Sequence, residues 1–128
     1  MAFYRSGGGG TLTETVLWTN PSPTSNFTAG VNIALSQSMA NFQYLRVYSR
    51  VSTSNATEGY ITIPTDNFIP EQNSMYGYTT MIKDNGTWYE RLINKIDDTT
   101  VKFADATKRR ATNTSSSEAV PTKITGLK

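Results

Sequence analysis

The sequence predicts an all-β protein: an antiparallel β-sandwich, jelly-roll-like, of seven to eight short strands, with a flexible N-terminal arm. Three observations carry that expectation. About a third of the 128 residues are Thr, Ser and Asn, which suit pleated surfaces and turns better than helices. Turn signals recur every eight to twelve residues or so, the spacing of a sandwich. Between them apolar and polar residues alternate with period two. The chain divides into an arm, residues 1–10, and one sandwich domain, residues 11–128.

The arm is a short aromatic head, Phe3-Tyr4-Arg5, followed by four glycines at positions 7–10. Glycine runs behave as flexible coil, and a purely solvated tail has little use for Phe3 and Tyr4. These three residues are therefore the candidate anchoring contacts. The first strand spans residues 14–20, rich in Thr, Val and Trp. The stretch 21–26, with two prolines, stops it. A second strand covers residues 27–36, with Val31, Ile33 and Leu35 on one face. The third, residues 42–52, turns Leu45, Val47, Ser49 and Val51 inward. Phe42, Tyr44, Arg46, Tyr48 and Arg50 form its other face.

A polar loop ending at Gly59 leads to a fourth strand, residues 60–63, closed by Pro64. Residues 65–74 form a loop whose Phe68 and Ile69 tuck under the sandwich. Asn85-Gly86 sits between extended runs at 75–83 and 87–96, the strongest hairpin signal in the chain. Helical spacing of Leu92, Ile93 and Ile96 competes there, but the tight turns on both sides favour a strand. A short strand at 101–106 precedes a polar stretch, 107–118, whose serines at 115–117 mark a mobile loop. The closing segment, 119–127, contains Pro121, which predicts an edge strand or a partner-paired tail.

The chemistry is as informative for what it omits. Histidine and cysteine are absent, which removes the usual proton shuttle, the thiol nucleophile and the best zinc ligands. Asp66, Glu71, Asp97 and Asp98 are the acids placed for paired-carboxylate or calcium chemistry. Turn aspartates more often cap backbone amides, and no calcium-loop pattern is present. No catalytic residue, metal or cofactor is assigned, and the expectation is a protein that is not an enzyme. A net charge of +2 does not call for nucleic acid, and Lys108-Arg109-Arg110 reads as a solvated strand end. No apolar run approaches the ~18 residues of a membrane span. The opening residues do not form a secretory signal. Sequons at Asn26, Asn55, Asn85 and Asn113 are matches expected by chance in such a composition. Tyr76, Tyr78, Trp88 and Tyr89 flank the Asn85-Gly86 turn and are the candidate receptor or glycan contacts, since flat aromatic faces suit sugar rings or a protein partner.

Residues 17–27, Leu-Trp-Thr-Asn-Pro-Ser-Pro-Thr-Ser-Asn-Phe, carry a resemblance, together with Val31-x-Ile33-x-Leu35-Ser36 and Lys123-Ile124-x-Gly126-Leu127. In these pieces, about half the chain, the sequence resembles small virion proteins of tailed bacteriophages, of the tail-fibre, receptor-binding or head-fibre type. The resemblance implies a β-sandwich, a homotrimer, attachment through the N-terminal segment, and residence in the virion after synthesis in the host cytoplasm. Implied partners are other copies of the chain, other virion proteins and a host cell-surface glycan. A carbohydrate-binding module and a capsid decoration protein without receptor binding are the alternatives. The long shaft of a complete fibre is missing from the sequence.

Overall fold

The computed structural model describes residues 12–73, 75–108 and 114–128. The expected arm, with Phe3, Tyr4, Arg5 and the glycine hinge, lies outside the described residues, as do Arg109, Arg110 and Asn113. Among the described residues there are ten strands and two 3-10 turns but no α-helix. The strands are β1 (Glu14–Thr19), β2 (Asn32–Ala34), β3 (Tyr44–Ser52), β4 (Glu58–Pro64), β5 (Tyr78–Asp84), β6 (Thr87–Asp97), β7 (Thr100–Phe103), β8 (Ala106–Lys108), β9 (Thr114–Ser115) and β10 (Glu118–Leu127).

They form two antiparallel sheets. The first has the order β1-β10-β3-β4. The second is built on β6, which pairs β5 along one edge and β7 then β8 along successive halves of the other. β2 extends the sheet beyond β7, and β9 extends it beyond β8. The core lies between the layers. Leu17, Leu45, Val47, Ile63 and Ile124 from the first sheet meet Ile33, Ile93, Val101 and Phe103 from the second, with Leu35, Met39, Phe42 and Phe68 closing the ends. The alternation of Leu45, Val47, Ser49 and Val51 is as expected, and all four are buried. The Asn85-Gly86 hairpin is also as expected. Both residues have positive φ, 47° and 85°, which a two-residue turn between twisted strands requires.

Several elements differ from the expectation. The second strand shrinks to three residues; Phe27 leaves the ladder to pack edge-on against Phe103 at 5.6 Å, and Val31 is exposed. The strand expected at 101–106 breaks into β7 and β8, because Ala104 and Asp105 step across between the two halves of β6. Phe68 is buried but Ile69 is exposed. The serines at 115–117, expected as a mobile loop, are held by the backbone: Phe27 donates its N–H to the Ser116 carbonyl at 2.9 Å, and Thr53 to that of Ser117 at 2.9 Å.

The closing segment differs most. It is a central strand, paired with β1 on one side and β3 on the other. Pro121 is tolerated because the register with β3 slips between Pro121 and Lys123, a bulge at which a missing N–H costs no ladder bond. Its carbonyl accepts from the buried Asn20 side chain at 2.8 Å.

Phe42 also departs from its expected outward face. β3 begins after it, and Phe42 ends the 3-10 turn Met39–Asn41 with its ring in the core. There it lies flat on Gly126: a Cβ built on that glycine would fall 2.5 Å from the ring. Gly126→Ala is expected to lower unfolding free energy by about 1–3 kcal/mol through overpacking. Phe42→Leu in the same chain should recover part of that loss, read as a positive coupling in a urea double-mutant cycle.

Candidate functional site

The outer surface of the first sheet is set by the period-two alternation of β3. Tyr44, Arg46, Tyr48 and Arg50 point away from the core, as the sequence predicts, and each is half-buried. The register brings three further residues beside them that the sequence left separate. Tyr60 of β4 stands opposite Tyr48, ring centroids 5.3 Å apart. The Arg46 guanidinium lies 4.4 Å from the centre of the Tyr60 ring. The Lys123 ammonium, from β10, lies 4.3 Å from that of Tyr48. Each cation is attracted to the negative face of its ring, so this surface is a sheet of alternating aromatic and cationic groups.

Glu14 at the start of β1 neutralises and pins the layer. Its carboxylate accepts from the Thr125 hydroxyl at 2.6 Å and from the Tyr48 hydroxyl, and pairs with Arg46 at 3.5 Å. Those hydrogen bonds, Thr125 first, and the nearby Arg46 and Lys123 charges hold its carboxyl below the ordinary value. Around this latch, Val16 and Tyr60 are exposed at 53% and 57%.

The four aromatic residues singled out around the hairpin do not share a face. Tyr78 pairs with Ile93 and turns inward, packing edge-on against buried Phe68 at 5.6 Å. Tyr89 pairs with Ile82 on the same inward side and is half-buried. Trp88, one residue away, points outward with Lys83, whose ammonium lies 5.7 Å from the ring centre. Tyr76 precedes β5 and is exposed; its carbonyl accepts from the Asn94 side chain at 2.5 Å.

The acids are likewise dispersed. Asp97 caps the β6–β7 turn, accepting from the Thr99 N–H at 2.9 Å, which lowers its carboxyl. Asp98 pairs with Lys95 at 2.9 Å, Glu71 pairs with Lys102 at 2.7 Å, and Asp66 is exposed in the second 3-10 turn. Among the described residues no group of three or more His, Cys, Asp and Glu is placed to hold a metal ion.

Two features escaped sequence reasoning. The first is Arg91, fully buried in β6. Its Nε donates to the Ala119 carbonyl at 3.0 Å, Nη2 to that of Glu118 at 2.8 Å and Nη1 to that of Ala104 at 2.8 Å. Consecutive strand carbonyls normally point opposite ways. Ala119 adopts φ 46°, and its carbonyl and that of Glu118 both reach one guanidinium edge. Burial pushes the Arg91 guanidinium down to about 10, against a pull upward from Asp105, so it stays charged at neutral pH. The second feature is a carboxyl pair. Burial, and then the neighbouring Asp84 carboxyl, push Glu118 up to about 7. A lone arginine or glutamate in a strand carries no signal that it will be buried.

No protein-family model matches this sequence, and no curated protein matches it significantly.

Arg91→Leu is expected to cost about 3–5 kcal/mol, since it orphans three carbonyls that water reaches poorly. Arg91→Lys should cost less but remain clearly destabilised, because an ammonium lacks the planar fork; thermal melts would rank the three chains.

The two perturbed glutamates shift stability in opposite directions. Glu14 is lowered when folded, so its contribution is present above its ordinary value near 4.5 and is lost as pH falls below it. Glu118 is raised, so the folded chain retains a proton between about 4.5 and about 7 that the unfolded chain has released. Stability should therefore fall as pH rises through that window and level off above it. Glu118→Gln is neutral beside Asp84 at every pH. It should melt higher than the parent at pH 8 and close to it near pH 4.5; equal melting differences at both values would contradict this account.

Proposed function

We propose that the chain is a non-enzymatic structural protein of a bacteriophage virion, sited on the tail fibre, tail tip or capsid surface. It assembles as a homotrimer, joins other virion proteins through residues 1–10, and presents its outer loops to the host surface. One observation supports assembly above the others: the aromatic–cationic layer outside the β1-β10-β3-β4 sheet. Its rings are held in fixed orientations by Arg46, Lys123 and Glu14. Little side-chain entropy remains to be lost when a partner covers them. Exposed Val16 and Tyr60 add apolar area, and Tyr and Arg are the residue types enriched where protein interfaces bind most strongly. The resemblance carried by residues 17–27 supports the virion setting.

A carbohydrate-binding module is the second reading, favoured by the exposure of Trp88 and Tyr76.

Light scattering tests the assembly. The intact chain is expected at the mass of a trimer, and Val16→Asp combined with Tyr60→Ala at that of a monomer that keeps its β-sheet circular dichroism but melts lower. A monomeric parent would remove the homotrimer. Deletion of residues 1–6 is expected to abolish incorporation into particles; undiminished incorporation would contradict the anchoring role of Phe3, Tyr4 and Arg5.

A further inference from the structure

The outer surface of the second sheet carries an open groove of about 490 Å3, within the range of roughly 300–1,000 Å3 typical of small-molecule sites. Its floor is apolar, formed by Leu92 and Ala104, and its wall holds Glu71, Lys102, Asn94 and Asp105. These groups sit on rigid supports. Lys102 and Asn94 are paired across β7 and β6. On the opposite edge of β6, Pro70 bridges to Lys95, and Glu71 donates its N–H to the Lys95 carbonyl at 2.9 Å. The 2.7 Å Glu71–Lys102 ion pair therefore spans β6 from edge to edge, above an Asn94 that is only 4% exposed.

The segment before β5 runs close against β6 at Asn94. A Cβ on Gly77 would lie 2.8 Å from the Ile93 carbonyl and 3.1 Å from the Asn94 amide nitrogen. Only glycine lets the chain pass this close to β6. The Tyr76 carbonyl accepts from the Asn94 side chain, which fixes the Asn94 amide where it lines the groove.

We propose that this groove binds a neutral saccharide. The inference deepens the carbohydrate-binding reading and is independent of the virion setting and of the opposite sheet. Among the described residues the Glu71 charge is met by Lys102 at 2.7 Å and Asp105 lies in the field of the buried Arg91, so the wall offers no unbalanced charge, and phosphates and acidic sugars gain nothing over a neutral ligand. An ammonium inside the wall likewise disfavours a cationic ligand. Sugar hydroxyls both donate and accept. They match carboxylate acceptors, an ammonium donor and an amide that does both. The C–H faces of a pyranose suit an apolar floor.

The test uses the full chain, 15N-labelled, titrated with maltotriose, lactose, di-N-acetylchitobiose and 6′-sialyllactose. At least one neutral saccharide is expected to shift the amides of Gly30, Asn94, Ala104 and Asp105. Glu71→Gln, and separately Thr107→Val, should each weaken that binding about tenfold, the loss of one good hydrogen bond. Thr107 lines the groove and its change to Val keeps the side-chain shape, so the test stays valid if Glu71→Gln impairs folding. Silence of those amides with all three neutral saccharides would overturn the proposal. So would tighter binding of 6′-sialyllactose than of lactose, or shifts confined to Lys83 and Trp88.

Discussion

The structure depends on one buried cation. Arg91 is the largest fully buried side chain among the described residues, and it sits between the sheets. Removing a guanidinium from water costs several kcal/mol, and no carboxylate lies within ion-pairing distance of it among the described residues. Its charge is compensated by three main-chain carbonyls, by the Phe27 ring 5.4 Å away and by the field of Asp105. Carbonyls and rings do not titrate, so their share of this compensation is independent of pH in a way a buried ion pair is not. It also fixes geometry. The three acceptors come from the β7–β8 connection and from the first turn of β10. Both sheets and the step that splits β7 from β8 are therefore referred to one side chain of β6.

β10 transmits that constraint to the surface. It leaves Arg91 at Ala119, passes the bulge at Pro121, and becomes the central strand between β1 and β3. Lys123 and Thr125, two contacts of the outer aromatic layer, are carried on it. The bulge after Pro121 sets which residues face outward beyond it, since a one-residue slip turns a strand over. The residue that breaks the ladder thus places Lys123 over Tyr48 and Thr125 under Glu14. Glu14, more than a hundred residues away in sequence, closes the same layer from β1.

Local pattern made the fold class legible. Alternation in β3 gave the core face and the outer face together, and Asn85-Gly86 gave the hairpin, because both are encoded within a few residues. What stayed illegible depends on long-range pairing. Tyr48, Tyr60, Lys123 and Glu14 meet only through the register of four strands, and no spacing among them signals it. Pro121 misled because a proline's usual meaning, an edge, yields when a bulge removes the need for its N–H. Phe42 misled because alternation was extended past the true start of the strand. The aromatic set around the hairpin illustrates the same physics at short range: Trp88 and Tyr89 are adjacent, so a pleated strand must send them to opposite faces. Sequence proximity to a turn is therefore no measure of shared surface.

The two outer surfaces differ in how their charges are arranged, and this difference decides what each can bind. On the first sheet Arg46 and Lys123 already have a ring or Glu14 beside them, and Arg50 donates to the Ser52 and Thr53 carbonyls. Covering that layer would strip water from groups whose charge is partly met within the plane, so desolvation is moderated and apolar area at Val16 and Tyr60 can contribute. On the second sheet the polar groups line a concavity, with Glu71 and Lys102 paired within it. A flat protein surface could not reach into it and would cut these groups off from water without replacing the hydrogen bonds lost, at a cost of about 1–3 kcal/mol for each. A small ligand bearing its own donors can enter and satisfy them. The sandwich therefore separates a surface suited to assembly from a groove suited to a solute. Arg91, between the layers, keeps both in register without taking part in either.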